Sequence, residues 1–352
     1  MVLVEKRLIA VTGATGLQGG SVIRYLLEDG TFRVRALTRK PSSARAKELQ
    51  GKGVEVVFAD FEDPSSLNSA LQGAYGVFGV TNFWESMDGE KETRHGKALV
   101  DAAKANNIQH FLWSTVSAPP KDLDIKHWAS KARVDDYLIS TSLPRTSLYS
   151  TFYFENFILF DFAKLTKASE SQPGKYIANW PLLLSDGPLG GFSVTETGAY
   201  VLEAFKDPKK WINKNLYIPP DVFTPREFVN ALNEALGGKA VVELKEVDEE
   251  TFDASRTLWP GAEELWTNMS ELTDVLPRPL DVLSCSALTH LHFRLAGFYR
   301  ARGKMRNMDP TSSKTGADSA CSEQVEQAIL PNRLTMQKWV QEHVEEILAA
   351  AL

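Results

Sequence analysis

An apolar, β-branched run, LIAVT at residues 8–12, breaks at a glycine, and from Ser21 to Leu27 apolar residues return at helical spacing. Gly13, Gly16 and Gly19 punctuate the break at intervals of three, within VTGATGLQGGS. An ordinary strand-to-helix turn needs one glycine. Three at this spacing point to a backbone that bends tightly and lets another group approach it closely. The helix opening there offers free N–H groups, where the charge of a pyrophosphate is stabilised. The pattern predicts a strand, a phosphate-cradling turn and a helix, the opening unit of a dinucleotide-binding sheet.

The same rhythm continues downstream. FRVRALTR (32–39), VEVVFAD (54–60), YGVFGVTN (75–82) and HFLWSTV (110–116) read as four more strands. Between them, residues 43–50, 63–71 and 91–107 carry helical patterns, the second opening on Asp63 and Pro64 as a cap and first turn. Strands alternating with helices imply right-handed crossovers, hence a doubly wound parallel sheet covered on both faces. This α/β domain is expected over residues 1–150. From about residue 151 the rhythm is irregular, and residues 151–352 are read as a smaller substrate-side lobe with segments that partly return to the sheet.

Composition narrows the function classes. The chain has 352 residues, 43% of them hydrophobic, so core size is not limiting. A formal net charge of -6 argues against direct nucleic-acid binding over much of the surface. Cys285 and Cys321 are the only cysteines, too few for a disulfide framework or a cysteine-rich zinc site, which fits a reducing compartment, the cytoplasm or the nucleus. The first residues lack the pattern of a secretory signal, and no apolar run reaches membrane-spanning length. No cluster has metal-ligand spacing and no G-x-S-x-G elbow occurs, so neither a metal nor hydrolase chemistry is expected. One segment stands apart. Residues 282–308 hold five Lys/Arg and no Asp/Glu, and the wider stretch 282–330 contains both cysteines. It reads as a poorly ordered insertion or sequence retained from a misassembled gene, with a basic partner-binding arm as the functional alternative.

The end of the second strand selects the dinucleotide. An acid there would bind the ribose 2′-OH of NAD; this chain carries Arg39 and Lys40 instead. A guanidinium can grip a 2′-phosphate through two charge-assisted hydrogen bonds, whereas an acid would repel it. NADP(H) is the expected cofactor.

LLEDGTFRVRALTRKP (26–41), TNFWES (81–86), HWASKARVDDYL (127–138), FYFENF (152–157) and WPGAEEL (259–265) together resemble the NmrA-like family, an atypical branch of the short-chain dehydrogenases. Its members include a fungal regulator of nitrogen metabolism and a human NADPH-sensing protein, the likeness being nearer to the second. The resemblance implies that Gly13, Ala14, Thr15, Gly16, Leu17, Gln18 and Gly19 cradle the pyrophosphate and that Arg39, with Lys40 beside it, meets the 2′-phosphate. It places Asp60 and Phe61 beside the adenine. Thr81, Asn82 and Phe83 would pass beneath the ribose and nicotinamide, Arg94 would add a contact, and Lys131 with Tyr153, Phe154, Glu155 and Asn156 would close the nicotinamide end.

Catalytic relatives in the superfamily carry Tyr-x-x-x-Lys, the tyrosine donating a proton. This chain has His127-x-x-x-Lys131. An imidazole can transfer a proton near neutral pH, but His127 can equally be a packed helix-face residue. Lys131 is useful to ribose binding with or without chemistry. Ser114 and Ser117 could bond a substrate or simply end a strand, and the aromatic run at 151–157 could be a nicotinamide-side wall or ordinary core. With the binding turn intact and the tyrosine missing, the leading expectation is an NADP(H)-binding redox sensor. It would act through a protein partner, a transcription factor or metabolic enzyme, with a homodimer compatible. The alternative is an NADPH-dependent oxidoreductase acting on a small carbonyl, quinone or enone, with Lys131 and His127 as its catalytic residues.

Overall fold

In the computed structural model the described residues are 6–119, 124–160, 162–180, 189–246, 249–257, 261–264, 266–267 and 329–350. The 282–330 insertion expected from composition therefore lies almost wholly outside the described residues. The first half follows the expected alternation: β1 (Leu8–Val11), α1 (Leu17–Asp29), β2 (Arg33–Thr38), α2 (Ala44–Gly51), β3 (Glu55–Phe58), α3 (Pro64–Leu71), β4 (Gly76–Gly79), α4 (Gly89–Ala105), β5 (His110–Thr115), α5 (Lys126–Ser140) and β6 (Arg145–Tyr149). The second half is made of shorter pieces: β7 (Phe152–Tyr153), α6 (Asn156–Leu159), β8 (Lys164–Lys167), β9 (Lys175–Trp180), β10 (Leu189–Phe192), α7 (Thr197–Lys206), α8 (Pro208–Trp211) and β11 (Lys214–Tyr217). β12 (Asp221–Phe223), α9 (Pro225–Leu236), β13 (Val241–Glu246), α10 (Glu249–Ala254) and α11 (Met336–Ala349) complete them.

Seven parallel strands form the central sheet in the order β11-β6-β5-β4-β1-β2-β3. β1, β4 and β5 are buried along their whole length, as inner strands of a sheet covered on both faces must be. One covering layer is α1 packed on α7, around Val22, Ile23, Leu26, Tyr200 and Phe205. The opposite layer is α3, α4 and α5, around Leu67, Leu99, Phe111, Trp113 and Val134. Asp63 caps α3 as expected, its carboxylate accepting the Ser65 and Ser66 N–H groups ahead of Pro64.

β11, in the second half of the chain, supplies an edge strand of this sheet, and α7 supplies half of one covering layer. The approach of α7 is close enough that a Cβ on Gly198 would lie 2.4 Å from the Ser21 carbonyl oxygen. Among the described residues of the second half, two three-stranded sheets, β12-β10-β7 and β13-β9-β8, pack with α9 and α11. Its core is aromatic: Phe154, Phe157, Trp180, Phe228 and Trp339 are all buried, and the rings of Phe157 and Phe228 stack with centroids 4.1 Å apart.

Candidate functional site

The carboxyl ends of β1, β2 and β4 lie side by side because the sheet order places β1 between the other two. Each glycine of the first turn does a different job there. Gly13 has φ +58, a left-handed conformation, and a Cβ would also sit 2.8 Å from a Val80 methyl. Gly16 is the N-cap of α1 and donates its N–H to the Gly13 carbonyl at 2.9 Å. Gly19 faces back into the turn, where a Cβ would meet the Gly13 carbonyl oxygen at 2.3 Å. Thr12 fastens the turn to β4, accepting the Val80 N–H at 2.8 Å and donating to the Val80 carbonyl at 3.1 Å. Ala14 is buried beneath, the Thr15 carbonyl accepts from Arg45 at 2.8 Å, and Leu17 is left exposed at the first helical position.

Gln18 reaches further than the turn. Its amide nitrogen donates to the Tyr153 hydroxyl at 2.6 Å, and its amide oxygen accepts from the Ser114 hydroxyl at 2.7 Å. The start of α1, the end of β5 and β7 thereby meet at one point. Burial pushes the Tyr153 phenol above its ordinary range, so it stays neutral there.

Arg39, just past β2, lays its guanidinium fork on Glu85, with Nη1–Oε1 and Nη2–Oε2 at 2.6 and 2.9 Å. Glu85 belongs to a 3-10 turn, Phe83–Glu85, that follows β4, so this pair passes from one side of β1 to the other. Lys40 is exposed next to it. Asp60 turns its carboxylate onto the Glu62 N–H at 3.0 Å, and Phe61 stacks on His95 with centroids 5.5 Å apart. Asn82 caps the 3-10 turn by accepting the Trp84 N–H, and Phe83 is buried. Arg94 lies exposed on α4.

Lys131, on α5, points at the end of β4. Its ammonium donates to the Thr81 carbonyl at 3.0 Å and to Glu92 at 2.6 Å. Glu92 is buried on α4 and also accepts from Thr81 at 2.7 Å and from Ser130. Burial alone would raise the Glu92 carboxyl, but the Lys131 charge and these hydrogen bonds outweigh it and hold the group below its ordinary value. Glu92 lies on the inward face of α4 with Gly96, Leu99 and Ala103, an acid within an apolar stripe, and that placement was its signal in the sequence.

His127 lies one turn before Lys131. Its Nδ1 is 2.7 Å from Glu264, and the same carboxylate oxygen accepts the His127 backbone N–H at 2.9 Å. The imidazole packs beside Phe83 and Trp84, with ring centroids 5.7 and 5.2 Å away. Nothing local in WPGAEEL marks Glu264; the contact joins residues 137 positions apart and arises only in the fold.

The FYFENF segment divides. Tyr153 turns toward Gln18, whereas Phe154 turns the other way, fully buried against Phe223 and Trp339. Its ring is core, not a wall of the cleft. Glu155 is engaged by the Ser193 hydroxyl at 2.6 Å and the Val194 N–H at 2.9 Å, and Asn156 begins α6. Among the described residues no group of three His, Cys, Asp or Glu could hold a metal ion, and no helix is long and apolar enough to cross a membrane.

A doubly wound parallel sheet with a three-glycine turn at the end of its inner strand β1 defines an open α/β dinucleotide-binding architecture. The NmrA-like family model matches residues 5–276, and the chain belongs to that family. An NmrA-like family domain-containing oxidoreductase of Aspergillus hancockii is 31% identical over 266 residues, 70% of this chain and 77% of that protein. The negative transcriptional regulator NmrA, solved in complex with NADP, shares the fold at a TM-score of 0.66 and 21% identity, covering 99% of both chains. The triphenylmethane reductase of Citrobacter sp., solved with NADP(H), does so at 0.60 and 19%, covering 95% of this chain and 99% of that one.

Proposed function

We propose that the chain is an NADPH-dependent oxidoreductase that reduces a small carbonyl, quinone or enone. The cofactor fits the residues present. Only glycines at 13 and 19 allow the turn to close this tightly, because added Cβ atoms would strike Val80 and the turn's own backbone, and Arg39 already holds a carboxylate in the two-pronged geometry that suits a 2′-phosphate. Related proteins solved with NADP(H) or named as oxidoreductases support the same cofactor and class. When bound, NADPH supplies a hydride.

The observation that carries the enzymatic reading is His127. It occupies the position four residues before Lys131, where dehydrogenases of the superfamily place a tyrosine, and a carboxylate holds it at Nδ1. An oriented imidazole is a competent proton donor near neutral pH. Thr81, held by Glu92 and Lys131, fixes the backbone at the end of β4 on which a ribose would rest. Trp84 packs on Phe160 at 5.9 Å, and Leu159 and Phe160 remain 56% and 46% exposed, an apolar surface suited to an apolar substrate.

A second reading, a sensor of NADP(H) state acting on a protein partner, is favoured by the tie between Lys131 and Glu92, which leaves the lysine bound to the protein itself. One experiment separates the two. NADPH oxidation is followed against a panel of quinones, enones and aldehydes, with His127→Ala in parallel. Turnover that the substitution abolishes at unchanged NADPH affinity supports the reductase; background rates throughout support the sensor.

A further inference from the structure

We infer that Glu264 is a positioning residue for His127, setting its tautomer and orientation so that Nε2 is the atom that exchanges a proton with substrate. The inference rests on the reductase reading and deepens it. The Glu264 side chain is only 9% exposed, and one of its oxygens takes both the Nδ1 and the backbone N–H of His127. An anionic carboxylate at 2.7 Å can only accept, so the proton of a neutral imidazole resides on Nδ1. Nε2 is then the free atom, and it has no hydrogen-bond partner among the described residues. Burial would raise the Glu264 carboxyl, but the two bonds from His127 and the charges of His127 and Lys126 bring it below its ordinary value, so it stays anionic through the neutral range.

The step balances simply. With NADPH bound to supply a hydride to the carbonyl carbon, the carbonyl π pair would move to oxygen and His127 Nε2, in the imidazolium form, would give that oxygen its proton. The products are an alcohol, NADP⁺ and neutral His127, which regains its proton from water. Throughout, Nδ1–H stays hydrogen-bonded to the Glu264 carboxylate. The charged groups at this end of α5 include Asp124, two residues before the helix, Lys126 in its first turn and the Lys131–Glu92 pair one turn on.

Glu264 also caps α5, which has no side-chain cap from its own N-terminal residue, and capping alone is the competing explanation. Glu264→Gln discriminates, because its amide oxygen can still accept the helix N–H while the charge is gone. Two readouts are needed: the tautomer and titration of His127 by ¹⁵N NMR of the imidazole, and the pH profile of kcat/KM for the best substrate of the panel. In the wild type the expected neutral tautomer is Nδ1–H. In Glu264→Gln that preference is expected to weaken and the alkaline limb of the profile to move to lower pH, with Kd for NADPH unchanged within about twofold. Glu264→Asp, which keeps the charge, is expected to restore the limb in part. An Nε2–H tautomer in the wild type, or a tautomer and pH limb that ignore Glu264→Gln, would overturn the inference. If no substrate turns over, the reductase reading falls and takes the catalytic use of the pair with it, while the NMR still reports whether Glu264 sets the tautomer.

Discussion

A methyl group on Gly19 would lie 2.3 Å from the Gly13 carbonyl oxygen and 2.5 Å from its carbon, both backbone atoms that cannot swing aside. Gly19→Ala is therefore expected to open the turn, costing on the order of 1–3 kcal/mol and weakening NADPH binding, both measurable by thermal melts and calorimetry. Gly20, where the nearest atom is 3.9 Å away, serves as the control and should tolerate alanine. At Arg39 the effects have opposite signs. Glu85 occupies the guanidinium that a 2′-phosphate would take, so Glu85→Gln should tighten NADPH. Both side chains are about half exposed, which limits the gain to roughly fivefold. A weaker NADPH complex in that variant would show that Glu85 assists the phosphate site. At this scale the sequence was most legible where spacing and residue type stand out locally: three glycines at intervals of three, the Arg39–Lys40 pair, and His127 four residues before Lys131. It was silent on Glu264, because a contact across 137 positions leaves no local pattern, and on Glu85 as the partner of Arg39.

Among the elements, the contact that ties the segment before α11 to the start of α7 carries a titratable group. Glu196 precedes α7 and accepts the Leu334 N–H at 2.6 Å, two residues before α11. Burial pushes its carboxyl from 4.5 up to about 7, the Leu334 hydrogen bond and Arg333 opposing and Glu155 adding repulsion. A folded value above the unfolded one means that the folded state holds the proton more tightly. Stability from this group is full below about pH 4.5 and is lost as pH rises toward 7, an order of 3 kcal/mol in all. Urea unfolding at pH 5 to 8 should show a decline in the wild type that Glu196→Gln flattens; equal slopes would contradict it. On α11, Trp339 is fully buried against Phe154 and Phe157, and Trp339→Ala should cost about 3–5 kcal/mol in the same assay. Five of the six strands of the first half were readable because they are short apolar runs between helices, even β3 at the sheet edge, which is only partly buried. β6 (RTSLY) and β11 (KNLY) escaped notice because polar side chains interrupt them, Thr146 and Ser147 being buried through hydrogen bonds with Trp211 and Asp135.

Across the whole molecule the two halves of the chain interleave. α7 and β11, from residues 197–217, complete a sheet begun at residue 8, so the 1–150 unit expected from sequence rhythm has the later segments built onto it. That interleaving places Tyr153 against Gln18 on α1 and Glu264 against His127 on α5. All of this chemistry presupposes a cofactor with a 2′-phosphate. The most direct measurement is calorimetric titration of the full chain with NADPH and with NADH, repeated on Arg39→Asp. The wild type should bind NADPH at least tenfold more tightly, a charge-assisted phosphate contact contributing on the order of 2–3 kcal/mol, and Arg39→Asp should abolish that preference while leaving NADH binding largely intact. Equal affinity for the two cofactors in the wild type, or an equal loss of both in the variant, would contradict it.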